Sequence, residues 1–177
     1  MRRRQPEFPC IRCGTPMSRS VRTHPRELRC PRCRYLIFDY PRIGVGVVVV
    51  KGGSVLLSRR AHPPKPGHLD IPGGFLDANE SLEAGARREL REETGLRVGA
   101  ARYVGAYPDR YHIRGFGHFP TLNIYYLARW RSGTPRAADD AASVEWVPIA
   151  RLGRTGARLS WRHMTLVFRD VRRLTSA

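Results

Sequence analysis

The chain has 177 residues, 41% of them hydrophobic, enough for one ordinary domain with a core of its own plus a small appendage. Its formal net charge of +17 rests almost wholly on arginine, since lysine occurs only at Lys51 and Lys65; such a field attracts polyanions, although arginines spread evenly along a chain are also what a GC-rich genome encodes. The longest apolar run, Ile43 to Val50, falls far short of the ~20 residues of a membrane span, and no apolar stretch follows the basic start, so a transmembrane helix and a secretory signal are both excluded and a cytoplasmic location is expected.

Residues 1–40 are rich in Cys, Arg and Pro and show no helical period. All four cysteines fall here in two pairs, CIRC (Cys10, Cys13) and CPRC (Cys30, Cys33), with sixteen residues between them. A two-residue gap lets both thiolates of a pair face one ion from a tight turn, and two such knuckles make a tetrahedral four-thiolate zinc site. Disulfides are disfavoured without a secretory signal, and a redox pair needs no matched second copy. Four thiolates leave no open position, so the zinc is expected to be structural. Whether this ribbon also touches nucleic acid is not decided by spacing.

Residues 41–177 are expected to form a second domain. Arg42 to Arg60 reads as two strands joined at Gly52-Gly53, and the proline-rich AHPPKPGH (61–68) as a loop leading into LDIPGGFLD. Ser81 to Thr94 reads as a helix, with Asn79 or Glu80 near its start and Gly95 ending it. Residues 96–107 and 119–130 read as strands around a polar, aromatic loop from Pro108 to His118. The loop GTPRAADDAA and a short strand SVEWVPI follow. A closing helix is expected over 160–174, on the spacing of Trp161, Met164, Leu166 and Phe168. Strands interleaved with two helices point to an α/β domain with a mixed sheet.

The first helix carries the chemistry. At 100° per residue Glu89, Glu92 and Glu93 occupy a fan of roughly 100°, within about 6 Å along the axis. Leu82, Ala86 and Leu90 form the apolar stripe beside it. Arg88 lies one turn before Glu92 and is placed to hold it, while Glu83 and Arg87 make a separate i, i+4 pair. Three acids beside a buried stripe repel one another unless a cation sits among them. Hard oxygen donors in this arrangement suit Mg2+ or Mn2+, which keep some waters and share their remaining positions with substrate phosphates.

Read from Gly74, the stretch GFLDANESLEAGARRELREETGL fills every fixed position of the Nudix box: a glycine, five residues, Glu80, seven residues, then RELREETGL. The chain thus resembles the Nudix hydrolases, which cleave a nucleoside diphosphate linked to another moiety X. The resemblance covers roughly residues 42–150 and implies the Nudix α/β/α sandwich. It implies that Glu89, Glu92 and Glu93 are metal ligands and that the Gly74 carbonyl joins them, with Glu80 and Arg88 bracing loop and helix. Glu92 or Glu93 is the implied proton acceptor. Asp140 is the candidate for a further acid from a later loop, its alternative being an ordinary loop acid or helix cap.

A four-cysteine ribbon followed at once by such a domain is similar to the NADH, ADP-ribose and FAD pyrophosphatase branch, whose members are commonly homodimers. The SQPWPFPQS element of NADH pyrophosphatases is replaced here by GAYPDRYHIRGFGHFPTL, and the upstream element of coenzyme A pyrophosphatases is absent. Tyr107, Tyr111 and Phe116 are candidates to stack on a base, and Arg110 and His112 to meet phosphate; the alternative is a loop that packs its own aromatics. The expected activity is divalent-metal-dependent cleavage of an ADP-containing dinucleotide or sugar nucleotide, releasing a mononucleotide. Two other expectations stand beside it: removal of dinucleotide caps from RNA, and a non-catalytic nucleotide-binding regulator.

Overall fold

The computed structural model describes residues 8–17, 22–24, 27–38, 40–113, 117–152 and 158–176. The chain divides into two compact units, Met1–Pro41 and Arg42–Ala177.

In the first unit, β1 (Phe8–Pro9) and β2 (Pro16–Met17) pair antiparallel across the first cysteine knuckle. The strands β3 (Arg22–His24), β4 (Glu27–Arg29) and β5 (Leu36–Phe38) form an antiparallel sheet, with the second knuckle between β4 and β5. The two knuckles turn alike. Gly14 N donates to Cys10 O at 2.8 Å and Arg34 N to Cys30 O at 3.0 Å, and both turn residues are left-handed, with φ 71° and 60°. Among the described residues the buried apolar side chains of this unit are Met17 and Leu28 beside Cys10 and Cys30.

The second unit is a mixed sheet with a helix on each face. Its elements are β6 (Arg42–Lys51), β7 (Ser54–Arg60), β8 (Leu69–Asp70), β9 (Gly73–Phe75), α1 (Leu82–Thr94), β10 (Arg102–Ile113), β11 (Gly117–Arg129), β12 (Ala141–Pro148) and α2 (Met164–Ser176). The order across the sheet is β10-β11-β6-β7-β12, with β9 added to β6 and β8 to β7. Among the strands of the described residues only β11 and β6 run parallel, in register from Thr121↔Arg42 to Arg129↔Val50, and Leu69 and Leu159 add one isolated parallel bridge. The valine-rich β6 needs no polar alternation because both its faces are covered. Val45, Val47 and Val49 pack under α1 with Ala86 and Leu90, while Val48 faces α2 with Val167, Phe168 and Val171. No helix of the described residues is long and apolar enough to cross a membrane.

The expected α/β/α sandwich is therefore present, with four local differences. The expected hairpin of residues 42–60 pairs only at its turn, Val50↔Val55 and Lys51↔Ser54, because β9 takes the facing edge of β6 and β8 that of β7 farther along. The expected loop Pro108–His118 is largely strand, since β10 and β11 stay paired from Arg102↔Leu127 to Ile113↔Gly117. The first helix is capped by Ser81, whose Oγ accepts from Ala84 N at 3.2 Å; Asn79 instead takes a left-handed turn, and Leu82 lies 36% exposed at the edge of the stripe. The closing helix starts at Met164, since Ser160 N pairs with Leu69 O at 2.8 Å and Trp161 and His163 line the cleft; its buried stripe is Met164, Val167, Phe168 and Val171, and Leu166 is 44% exposed.

Candidate active site

A cleft of about 350 Å³ opens between α1 and the β10–β11 hairpin, and the box residues form one wall of it. The helix is delivered to the cleft by its two ends. Ser81 fixes the start, and Gly95, at φ 70°, lets its amide close on Arg91 O and turn the chain away. At the other side of the wall, β9 brings Gly74 against the helix so closely that a Cβ there would stand 2.5 Å from Glu89 Oε1. Only glycine leaves the Glu89 carboxylate and the Gly74 backbone free to share a ligand. A Gly74→Ala protein is expected to fold while losing divalent-ion affinity by at least tenfold, measured by calorimetry with Mn2+.

The three glutamates are not equivalent. Arg88 reaches Glu89 Oε1 at 2.9 Å, Glu92 Oε2 at 3.0 Å and Glu80 Oε1 at 2.7 Å, and donates to Phe75 O. It thus braces the loop against the helix and neutralises two of the glutamates without a metal. Its bond holds Glu80 below the usual carboxylate range, with the Asp77 backbone amide assisting. The Glu83–Arg87 pair forms as expected, on the far side of the helix.

Glu93 is the exception. It is 8% exposed, one of its oxygens is buried without a partner, and no arginine reaches it among the described residues. Burial first, then the negative charges of Asp70 and Glu89, push its pKa up to about 8, against hydrogen bonds from Ser58 and the Gly73 backbone. Glu89 is likewise raised, by burial foremost and by Glu92 and Asp139, against Arg88. An orphaned buried carboxylate oxygen beside two further acids and a glycine cradle fits a divalent cation. Glu89, Glu92, Glu93 and the Gly74 carbonyl would hold it. Among the described residues no three of these acids bring oxygens within 4.8 Å of one another; waters and phosphate oxygens complete the shell of Mg2+ in such sites. Both Asp139 and Asp140 line the same cleft, Asp139 in a left-handed turn at φ 52°.

The opposite wall was only partly foreseen. Arg110 and Tyr111 line the cleft, whereas His112 is exposed and lies outside its lining. Tyr107 points into the core beneath α2, where its hydroxyl donates to Asp170 Oδ2 at 2.9 Å, so it does not face the cleft. Phe116 lies outside the described residues. The aromatics that do gather are Tyr111, Trp161, Phe75 and Phe119. Tyr111 lies 5.1 Å from Trp161 and 5.4 Å from Phe119, and Arg42 stands 4.1 Å over the Phe75 ring.

Six residues absent from the expected site hold this wall. Asp70, buried at the end of β8, accepts from Trp161 Nε1 at 2.8 Å and from Arg60 Nη1 at 3.1 Å. Burial raises its pKa even so. Behind it, His163 Nδ1 meets Asp109 Oδ2 at 2.6 Å and its Nε2 meets the Tyr125 hydroxyl at 2.9 Å. Asp109 is held low: burial opposes, but the His163 bond and the Arg110 amide outweigh it. An acid inside the apolar LDIPGG was the one sequence signal for this set. A buried ion pair such as Arg60–Asp70 adds little net stability, so its place in the cleft points to substrate rather than to folding.

The four cysteines form the other cluster. Cys10 Sγ lies 3.7 Å from Cys33 Sγ and Cys13 Sγ 3.6 Å from Cys30 Sγ, and all four sulfurs fall within 4.8 Å of one another. Thiolates at zinc, with Zn–S of ≈ 2.3 Å, stand about 3.8 Å apart at the corners of a tetrahedron. The sulfurs are thus already at metal-site spacing. Hydrogen bonding to Thr15 lowers Cys13 to about 6, so a thiolate forms there near neutrality.

Carboxylates on one wall and fixed cations with aromatic rings on the other describe a hydrolase for phosphate anhydrides. The NUDIX domain family model matches residues 40–166, and the chain belongs to the Nudix family. It is accordingly a hydrolase acting on pyrophosphate bonds. An ADP-ribose pyrophosphatase of Methanocaldococcus jannaschii is 31% identical over 121 residues, 67% of this chain and 69% of that protein. The NAD-capped RNA hydrolase NudC of Pseudomonas aeruginosa is 37% identical over 101 residues, 55% of this chain but only 34% of its own length. Among solved structures, a NUDIX hydrolase from Nitrosomonas europaea aligns with a TM-score of 0.69 at 23% identity, covering 95% of this chain and 90% of that one, which shows the fold.

Proposed function

We propose that the protein is a Mg2+- or Mn2+-dependent pyrophosphatase that splits the diphosphate of an ADP-linked compound of the ADP-ribose, FAD or NAD(H) class, releasing a mononucleotide. The observation that carries this reading is the pairing of walls. An orphaned Glu93 oxygen with Glu89 and Gly74 stands opposite Arg60, Arg110 and an aromatic group. When bound, the metal neutralises the diphosphate and lowers the pKa of a coordinated water. The chain's own groups do the rest. Arg60 and Arg110 orient phosphate oxygens, Tyr111 and Trp161 receive the adenosine side, and Arg88 holds Glu89 and Glu92 in place. Glu93, the one box carboxylate with a buried oxygen that no protein group engages, is the group suited to take a proton from the attacking water. Asp140 and Asp139 are the candidates for a further acidic ligand.

The cysteine cluster is proposed to hold one structural zinc per chain. The branch resemblance supports a homodimer, which light scattering tests.

Cap removal from NAD-capped RNA is the second reading, supported by the named relatives and the +17 charge. Both are tested together by incubating the protein with Mg2+ or Mn2+ and ADP-ribose, NADH, NAD+, FAD, a diadenosine polyphosphate, a dNTP and an NAD-capped RNA. Cleavage of a small dinucleotide supports the first reading; reaction with capped RNA alone supports the second. Nucleotide binding without any turnover would leave a regulator.

A further inference from the structure

A second cavity, of about 330 Å³, lies at the C-terminal end of α2 and shares no lining residue with the active cleft. Its floor is apolar: Val50 from β6, Leu127 from β11 and Leu174 from α2. Its rim carries three guanidinium groups, Arg102, Arg129 and Arg131. Strand register explains their convergence. Arg102 stands opposite Leu127, Arg129 opposite Val50, and Arg131 follows where β11 ends. On this side the Gly99–Ala101 approach has no side chain bulkier than methyl, and a Cβ at Gly99 would meet nothing within 4 Å.

No acid lines this cavity, and none of the three arginines makes an ion pair among the described residues. Bases outnumber acids in this chain, and Arg91 and Arg97 likewise make no ion pair among the described residues; what sets this basin apart is that three such arginines line one cavity with an apolar floor. The Thr175 hydroxyl is donated to Val171 O, so the guanidiniums alone set the polarity of the rim. The carbonyl end of α2 offsets part of their repulsion, but a helix terminus is worth only about 0.3–1 kcal/mol per neighbouring charge. An apolar floor beside three exposed arginines without an ion pair is complementary to an amphipathic anion. Phosphate takes guanidinium forks in two-point contacts, and a flat or apolar body covers the floor. The volume falls in the range of small-molecule sites.

We propose that this cavity is a second binding site for a phosphate monoester bearing an aromatic or apolar body, a mononucleotide being the simplest case. A polyanion chain fits less well, because it calls for a groove that runs on, and this basin is bounded by α2. The site stands apart from the catalytic machinery and from its substrate.

Calorimetry of the full chain with AMP, without added divalent metal, tests this. Wild type is compared with Arg102→Gln/Arg129→Gln/Arg131→Gln and with Arg131→Gln alone. The triple variant is expected to bind one AMP fewer per chain than wild type, and the single variant to lose at least fivefold in affinity at that site. Turnover by the triple variant at low product concentration is expected to be unchanged. Unaltered AMP stoichiometry and affinity in both variants would overturn the proposal. Inorganic phosphate binding as tightly as AMP would overturn the role of the floor. If the triple variant lost affinity for a single-stranded RNA decamer but kept its AMP binding, the rim would be a polyanion track and the proposal would fail.

Discussion

Glu93→Gln is expected to lower the hydrolysis rate by about 10²–10⁴-fold, the range lost with a positioned proton acceptor, while making the metal-free protein more stable above pH 5. The two effects share one cause. Glu93 is buried beside Asp70 and Glu89 with an unpartnered oxygen, and its pKa of about 8 in the fold exceeds the 4.5 of an ordinary glutamate. A raised pKa means that the folded state favours the neutral form. Its contribution to stability is complete below pH 4.5 and is lost as the pH rises through 8. Glutamine stays neutral throughout. Near pH 8 the variant should therefore exceed wild type by about 2–4 kcal/mol, read from urea midpoints at pH 5 and pH 8. Mn2+ should raise the wild-type midpoint at pH 8 and leave that of the variant nearly unmoved. A variant that is less stable than wild type at pH 8, or one that retains full activity, would break the assignment.

Removing the metal from the cysteine cluster is expected to have the larger structural effect. Among its described residues the first unit buries little beyond Met17, Leu28 and two cysteines, and a unit of about 40 residues cannot in general offset its chain entropy by apolar burial alone. Metal analysis should find one zinc per chain, and Cys30→Ser should abolish it. Cys30 is the fitting target because it is fully buried and stands 3.6 Å from Cys13. Proteolysis of the variant should cut between residues 8 and 38 and leave a resistant fragment beginning near Arg42, since the second unit has its own two-sided core. A Cys30→Ser protein with a full zinc complement, or with an uncut first unit, would show that the cluster is not what holds that unit together.

What was legible in the sequence was local. The cysteine pairs, the box helix with Gly95, the hairpin turn at Gly52-Gly53 and the proline loop each declare themselves within a dozen residues, because caps, turns and knuckles are short-range chemistry. The second wall of the cleft was not legible. Asp109, Tyr125 and His163 lie far apart in sequence and meet only after β10, β11 and the segment before α2 have packed. Tyr107 and Tyr111 lie on one strand only four residues apart, yet the structure sends Tyr107 under α2 and Tyr111 to the cleft. Pattern alone does not resolve such a choice, since both are half-apolar rings in an aromatic stretch. The role of Arg88 was also larger than the spacing of charges implied. It engages Glu80, Glu89 and Glu92 together, which leaves Glu93 as the carboxylate most in need of an external cation.

The long parallel pairing of β11 beside β6 also orders events in time. It joins Arg42–Val50 to Thr121–Arg129, so the sheet cannot be completed until the chain has been made and threaded past the whole box. The contacts of the carboxylate wall are near neighbours by comparison, Gly74 meeting Val45 in β9–β6 pairing and Glu89 across a short loop. Short loops close at smaller entropic cost and sooner than long ones. A ribosome-bound chain stopped after about residue 100 would thus hold a nascent metal wall facing open water. The wall that selects the substrate is completed only when Tyr125, Trp161 and His163 join Asp70, Asp109 and Tyr111, and catalytic competence with it.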